Sequence, residues 1–344
     1  GARYTPIRDL TVRGTFSTAF RAPNISELYL GGTETDPAAT DPCADLTVVP
    51  AAVAQRCRST GVTGSGSGDT GVQELTREGG NAGLKAETAT IVTVGIVVQP
   101  QMVKGLSLTV DYYNINIDNA IGFTGTPYIL YGCYYGGNSD FCNDVVRNNS
   151  GAIQYVNDFY TNLGNRKAAG IDFAVRYSLP TEVGRFGFGF DGNVLTQFDS
   201  TVAGFPTVDG KGNYDLGANP VFKALASLDY YRGGFNAGIL GHYVGTFKEC
   251  SNPYDPTTAQ GGLCNLTDGT MNPLSRKVHP YLQFDVHAGY TLASNWGKTG
   301  FYAGISNLFD RAPPYIYSAA LANSDPATYD YLGRYVYARV QHTF

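Results

Sequence analysis

Long hydrophobic runs and a strong excess of one charge are both missing from this sequence of 344 residues. Because no run of apolar residues is long enough to cross a bilayer as a helix, the sequence contains no candidate transmembrane helix. The net charge is −5, and no basic stripe of the kind that binds nucleic acid is present, so no nucleic-acid partner is predicted. Charged residues make up only 15% of the chain, whereas Tyr (25), Phe (18) and Gly (43) are abundant. This composition fits a soluble all-β protein or an outer-membrane β-barrel, whose strands leave a weak alternating signal.

Motifs for metal binding and catalysis are missing as well. The six cysteines form no C-x-x-C pair, and no His, Cys and Asp cluster has the spacing of metal ligands. We therefore predict no metal site and no cofactor. Asp285, His287 and His242 share the polar parity of their strands, but no G-x-S-x-G context supplies a nucleophile. We predict that the chain is not an enzyme, and an outer-membrane hydrolase is the weaker alternative.

The sequence does contain repeated alternation of apolar and polar residues. A period of two predicts β-strands, in which successive side chains point to opposite faces. Ten segments alternate in this way, at residues 10–16, 92–98, 106–112, 171–179, 186–198, 222–230, 235–247, 282–292, 301–309 and 332–344. In the third segment the apolar parity inverts after Tyr112, which predicts either a β-bulge or the point where the strand leaves the membrane.

The connections between these segments alternate in length. After the even segments they are short, for example PTEVG and RGG. After the odd segments they are long, at about residues 20–87, 119–150, 199–219, 248–280 and 310–330. Short turns at one end of a sheet and long loops at the other are typical of outer-membrane barrels, and a soluble sandwich has no reason to alternate so strictly.

The cysteines fall within the long connections, as the pairs Cys43/Cys57, Cys133/Cys142 and Cys250/Cys264. An even number of cysteines, paired loop by loop, predicts three local disulfides in an oxidising compartment, all at one end of the sheet. In the chain-entropy model, each bond would stabilise its loop by roughly 3 kcal/mol.

Four stretches of the sequence resemble one known family. They are TFSTAFRAPNISELY (15–29), GGNAGLKAETATIVTVGIVV (79–98), NLFDRAPP (307–314) and YDYLGRYVYARVQHTF (329–344). Together and in this order they resemble the C-terminal β-barrel portion of TonB-dependent outer-membrane receptors. The resemblance implies an all-β fold, an antiparallel transmembrane β-barrel segment of about ten strands that would be the last ten of a 22-stranded barrel. Residues 1–344 would then be the C-terminal part of the barrel, without the N-terminal plug and the earlier strands.

The resemblance also implies where the protein acts. It would lie in the outer membrane of a Gram-negative bacterium, with long loops outside the cell and the C-terminus in the periplasm. The partners would be TonB, through the plug, together with outer-membrane lipid and the barrel-assembly machinery. The assembly signal would be the apolar terminal face and the final residue, namely Val336, Ala338, Val340 and Phe344.

The implied activity is TonB-dependent uptake of a scarce extracellular small molecule. An iron–siderophore complex is the default ligand, with a sugar, cobalamin or a peptide as alternatives, and a passive porin is the rival function. The candidate ligand contacts lie on the polar parity of the strands, at Asn193, Gln197, His242, Tyr335 and Tyr337.

Three structural expectations follow. Side chains of one parity, such as Phe188 and Val286, should face lipid, and those of the other, such as Asn193 and His287, should face the lumen. The chain has no initiator Met and no signal peptide, so we expect it to be a fragment or a processed piece. We therefore expect an open sheet, with the first strand, residues 7–16, unpaired on its outer side.

Overall fold

Strands dominate the computed structural model, which describes residues 1–37, 39–69, 71, 73–214, 216–249, 276–317, 319 and 322–344. The strands are β1 (Ala2–Ile7), β2 (Leu10–Arg21), β3 (Thr33–Thr35), β4 (Thr76–Gly79), β5 (Glu87–Val98), β6 (Leu106–Gly122), β7 (Val145–Arg147), β8 (Ile153–Phe159), β9 (Thr161–Thr181), β10 (Gly184–Val202), β11 (Val208–Asp209), β12 (Phe222–Arg232), β13 (Phe235–Val244), β14 (Phe247–Glu249), β15 (Arg276–Val278), β16 (Tyr281–Ser294), β17 (Gly297–Ser306) and β18 (Tyr335–Thr343). The helices are short, at α1 (Ile25–Tyr29), α2 (Ala51–Ser59), α3 (Thr126–Tyr134) and α4 (Ser139–Asp144). None of these helices has the length and apolar character that a membrane crossing requires.

One large antiparallel sheet organises the described chain. Its strands are hydrogen-bonded in the order β1-β2-β5-β6-β9-β10-β12-β13-β16-β17-β18, and β11 adds a short pairing to β10. The order follows the sequence, and each neighbouring pair is antiparallel, as the alternating segments predicted. Among the described residues β1 and β18 do not pair with each other, so the prediction of an open sheet is confirmed.

The first hairpin corrects the predicted number of strands. The path contains eleven strands rather than ten, because β1 pairs with β2, with Ala2 opposite Gly14 and Tyr4 opposite Val12. The expectation that residues 7–16 are unpaired on their outer side is therefore wrong. Pro6 lies within the register shift between Tyr4 and Ile7. It has no backbone N–H, so the pairing is interrupted there, but the neighbouring residues of β1 still pair with β2.

Rows of directly opposed residues separate an apolar face from a polar face. On the apolar face, one row crosses eight strands through Leu106, Tyr177, Phe188, Leu228, Ile239, Val286, Ile305 and Val336. The adjacent row on the polar face runs through Ser178, Gly187, Asp229, Gly238, His287, Gly304 and Tyr337. A shift of one residue would exchange the two faces. The observed register therefore gives the apolar and polar faces that the alternating sequence predicted.

No β-bulge accompanies the inverted parity after Tyr112. Strand β6 pairs in unbroken register with β5, with Tyr112 opposite Val94 and Tyr113 opposite Thr93. Its pairing with β9 shifts only after Ile117. Of the two predicted explanations the bulge at Tyr112 is excluded, and departure from the membrane stays a prediction.

The face assignment predicts different outcomes for two arginine substitutions on the same strand. Arginine at the midplane of a lipid-exposed barrel face costs roughly 2–4 kcal/mol, so Phe188→Arg should strongly lower the yield of assembled protein in the outer membrane. Asn193→Arg, on the polar face of β10, serves as the control and should assemble with nearly the yield of the wild type. Equal yields of the two variants would contradict the assignment.

Candidate functional site

A polar row crosses four neighbouring strands of the sheet. It contains Asp111, Asp172, Asn193 and Lys223, which lie opposite one another on β6, β9, β10 and β12. Lys223 is the second residue of β12, directly after the connection that follows β10. The row therefore meets a long connection at β12, whereas Asp172 and Asn193 lie midway along β9 and β10.

This row forms part of the wall of a cavity of about 700 Å³. Strands β13, β16 and β17 supply its other wall, and Thr328 and Asp330 of the last long connection also line it. The polar side chains at the cavity are Thr109, Asp111, Asp172, Asp191, Asn193, Lys223, His242, Gln283, Asp285, Ser306, Thr328 and Asp330. Its size suits a small ligand bound by hydrogen bonds.

Asp285 is the most heavily hydrogen-bonded carboxylate at the cavity. Its Oδ1 accepts hydrogen bonds from Gln283 Nε2 and from the backbone N–H of Asn307, both at 2.8 Å. Its Oδ2 lies 3.1 Å from His242 Nε2. In the described part of the chain no hydroxyl or thiol is hydrogen-bonded to the ring of His242.

On the opposite wall, two of the three carboxylates are neutralised by arginines. Arg176 donates two hydrogen bonds of 2.7 Å to Asp191, and Arg13 Nε donates one of 2.8 Å to Asp111. The third carboxylate, Asp172, accepts a hydrogen bond of 2.7 Å from Asn193 Nδ2. Such bidentate pairs fix the positions of both side chains.

Glycine is required beneath the pair of Arg13 and Asp111. Gly95 on β5 lies between the two strands that carry them, opposite both residues. A Cβ atom at Gly95 would lie 1.9 Å from Asp111 Oδ1. Only a residue without a side chain therefore lets the ion pair form across β5.

The predicted contact residues are only partly brought together. Asn193 and His242 line the cavity, and Tyr335 lies opposite Ser306 at its edge. Tyr337 lies further from the long connections, where its hydroxyl covers Gly304. Gln197 does not line the cavity, because the register shift after Leu195 places it opposite Ala169.

Sequence reasoning missed several residues of the cavity. Asp172, Lys223, Gln283 and Ser306 have the polar parity of their strands, which is the signal that identified Asn193. Without the pairing register of the strands, the sequence does not show which of the many polar positions lie opposite one another.

The proposed assembly-signal residues lie at the last strand of the path. Val336, Ala338 and Val340 are opposite Ile305, Ala303 and Phe301 on the apolar face of β17. Phe344 directly follows β18 and is fully exposed. Their placement matches the predicted apolar terminal face, and their role in assembly stays a prediction.

Two of the three predicted disulfides are present. Cys43 is bonded to Cys57, and Cys133 is bonded to Cys142. The third predicted pair, Cys250 and Cys264, lies outside the described residues. Among the described residues no group of three or more His, Cys, Asp or Glu side chains could hold a metal ion.

Both disulfides belong to a compact unit that we call the disulfide cap. It consists of the small sheet β3-β4-β8-β7 and helices α2, α3 and α4. Its core contains Cys43, Cys57 and Cys133, with Cys142 packed against them, and buried side chains that include Val53, Ile129, Leu130, Tyr134 and Val156. The long connections after β2 and β6 thus share one hydrophobic core, which loop length and cysteine spacing did not reveal.

A buried ion pair links these two connections. Arg147 contacts Asp41 through two hydrogen bonds of 2.6 and 2.7 Å, and the two side chains are 2% and 0% exposed. Arg147 also donates to Tyr134 Oη at 3.0 Å and to the carbonyl of Gly151 at 2.7 Å. The guanidinium is therefore well satisfied in an environment where an unpaired charge would be costly.

Two other carboxyl groups of the cap titrate abnormally. Burial, with the nearby charges of Asp69 and Asp41, raises the pKa of Glu74 to about 8, and its Oε1 has no hydrogen-bond partner. Burial also raises the pKa of Asp158 to about 6, although the N–H groups of Gly125 and Thr124 bind its charged form. Glu74 is therefore protonated in the folded cap at neutral pH.

One comparison with known proteins identifies a family. A family model described as "TonB dependent receptor-like, beta-barrel" matches residues 1–308. A search of curated proteins finds no match.

Solved structures of similar fold cover 99% of the chain. The siderophore receptor PirA from Acinetobacter baumannii matches with a TM-score of 0.58 at 16% identity, over 40% of its own chain. A mutant of the ferric enterobactin receptor PfeA from Pseudomonas aeruginosa matches with a TM-score of 0.60 at 17% identity, over 39% of its chain. The FrpB iron transporter from Neisseria meningitidis matches with a TM-score of 0.52 at 14% identity, over 38% of its chain. The chain thus spans about two fifths of the length of these structures, and at such low identity the likeness establishes the fold alone.

The buried ion pair predicts a large loss of cap stability when one partner is neutralised. Asp41→Asn leaves the Arg147 charge buried without its counter-charge, which should cost about 3–5 kcal/mol. The exposed pair of Arg77 and Glu34 in the same cap is the control, since Glu34→Gln should cost at most about 1 kcal/mol. Hydrogen exchange of the cap amides in increasing urea measures both values. Similar losses for the two variants would contradict the importance of the buried pair.

The raised pKa of Glu74 predicts that the cap weakens as pH rises. The unfolded chain releases this proton near its ordinary pKa of 4.5, whereas the folded cap retains it up to about pH 8. Between those values the folded state binds more protons, so the stability of the cap should fall from about pH 5 to about pH 8. Glu74→Gln should flatten the decline, and Glu34→Gln should leave it unchanged. Cap hydrogen exchange, corrected for its intrinsic pH dependence, provides the measurement, and an unchanged slope in Glu74→Gln would refute the assignment.

Proposed function

The chain belongs to the TonB-dependent receptor-like β-barrel family, and we propose that it forms the C-terminal part of an outer-membrane barrel that actively imports a scarce extracellular ligand. The observation that carries this proposal is the unbroken sheet of eleven strands with one apolar and one polar face. In such a barrel the apolar face contacts lipid and the polar face lines the lumen.

The sheet supports the view that further strands complete the barrel. Strands β1 and β18 each have one partner among the described residues, so two edges carry unpaired backbone groups. In hydrocarbon each unpaired polar group costs several kcal/mol, so open edges are not tolerated there. The likeness to structures more than twice as long supports a larger closed barrel.

The proposed orientation follows the lengths of the connections. We place the long connections, the disulfide cap and the cavity at the extracellular end, and the tight turns and the C-terminus in the periplasm. Disulfides are stable in an oxidising compartment, which supports placing the cap outside the cell. The barrel-assembly machinery would recognise the terminal strand, which ends at Phe344.

Import in this proposal needs no covalent chemistry from the barrel wall. The ligand binds the cavity and the loops, and TonB uses the inner-membrane proton-motive force to rearrange the plug and open a path. The wall must bind the ligand through groups such as Asn193 and Gln283, and release it when the path opens. The names of the solved neighbours support an iron–siderophore complex as the ligand class, and a sugar, cobalamin or a peptide are alternatives.

Energy dependence distinguishes this function from that of a passive porin. Cells that express the protein in its natural full length should accumulate a labelled ligand above its external concentration, because the proton-motive force drives the transfer. Deletion of TonB or addition of a protonophore should abolish accumulation while leaving surface binding unchanged. Equilibration of the ligand across the membrane at the same rate with and without TonB would contradict the proposal and favour the porin.

A further inference from the structure

Carboxylates dominate the charged groups that line the cavity. Five aspartates contribute to its wall, whereas Lys223 is the only lysine and no arginine lines it among the described residues. The aspartates are Asp111, Asp172, Asp191, Asp285 and Asp330. His242 also lines the cavity, with its Nε2 directed to Asp285. A negatively charged ligand would therefore meet like charges on several sides.

The arginines next to the cavity do not reverse this sign. Arg13 and Arg176 are each bound to one aspartate, Asp111 and Asp191, and compensate those two carboxylates. Asp172, Asp285 and Asp330 remain, and Lys223 is the one lysine that opposes them at the cavity. The lining retains a net negative charge even when both arginines are counted.

Two amide donors of the wall are committed to its own acceptors. Asn193 Nδ2 donates to Asp172 at 2.7 Å and to Tyr113 Oη at 3.2 Å. Gln283 Nε2 donates to Asp285 at 2.8 Å. Carboxylate oxygens have several acceptor sites and offer no donor, so the five aspartates give this wall a large acceptor capacity. A ligand that fits this wall must bring donors, such as hydroxyl or amide groups.

We propose that the cavity selects a ligand without net negative charge that is rich in hydroxyl or amide donors, and rejects polyanionic iron chelates such as ferric tris-catecholates. This inference rests on the proposed import function and narrows its ligand class. Two sources share the required chemistry, an uncharged ferric trihydroxamate and a neutral oligosaccharide. Both present donors or neutral polar groups without the triple negative charge of a ferric tris-catecholate.

The test is equilibrium binding to the full-length receptor, purified with the segments that naturally accompany this chain. The probes are a ferric tris-catecholate, an uncharged ferric trihydroxamate and a neutral malto-oligosaccharide, measured at physiological ionic strength. One of the two uncharged probes should bind, and the one that does identifies the source. The tris-catecholate should bind at least about 100-fold more weakly, since its charge meets the uncompensated carboxylates at short range.

Charge reversal tests the cause of the preference. Asp172→Lys should raise the affinity for the tris-catecholate by about 10-fold or more, because it replaces a repulsive charge with an attractive one. Asp229→Lys is the matched control, since Asp229 lies on the same face but does not line the cavity. At physiological salt its charge is screened beyond about 8 Å, so the preference should stay that of the wild type.

Three results would overturn the proposal: tris-catecholate binding as tight as that of the uncharged probes, no gain of tris-catecholate affinity in Asp172→Lys, or no binding of either uncharged probe. Failure of the proposed import function has a different signature. In that case a probe that binds would enter cells equally well with and without TonB. A tris-catecholate that binds tightly and accumulates only with TonB would refute the charge preference and leave active import standing.

Discussion

The register of the antiparallel ladder is the constraint on which the rest of the structure depends. Side chains alternate between faces with a period of two, so one residue of slippage would move Val286 to the polar face and His287 to the apolar face. Register shifts within the long strands occur after Ile117 and after Leu195, close to the long connections. The regular part of the sheet thus keeps one face apolar, and irregular pairing begins where the strands meet the loops.

The cavity and the disulfide cap depend on this ladder in different ways. The cavity exists because register places Asp172, Asn193 and Lys223 opposite one another on adjacent strands. The cap has its own core, two disulfides and a buried ion pair, so its stability comes from contacts within the long connections. The geometry of the cavity therefore depends on the register of the sheet. The stability of the disulfide cap depends on packing within the long connections.

Sequence alone predicted the strands because their signal is local. The parity of Phe188 and Asn193 follows from their immediate neighbours, and the short and long connections can be read directly. The extra strand β1 was missed because Pro6 obscures its pattern. The cap could not be predicted, since Asp41 and Arg147 are 106 residues apart and no local pattern joins them. The cavity could not be predicted either. Gln197 was expected to line it, but the register shift after Leu195 takes the Gln197 side chain away from the cavity.

Nitroxide labels at two consecutive positions of β16 would test whether the two faces of the sheet meet lipid and water. A single label at residue 286 and another at residue 287, each in the full-length protein in lipid bilayers, sample the two faces of β16 at the same depth. We expect the label at Val286 to relax faster with oxygen, which concentrates in lipid. The label at His287 should relax faster with a water-soluble nickel chelate. Labels that respond alike to both reagents would show that the two faces do not meet different solvents, and would contradict the barrel assignment.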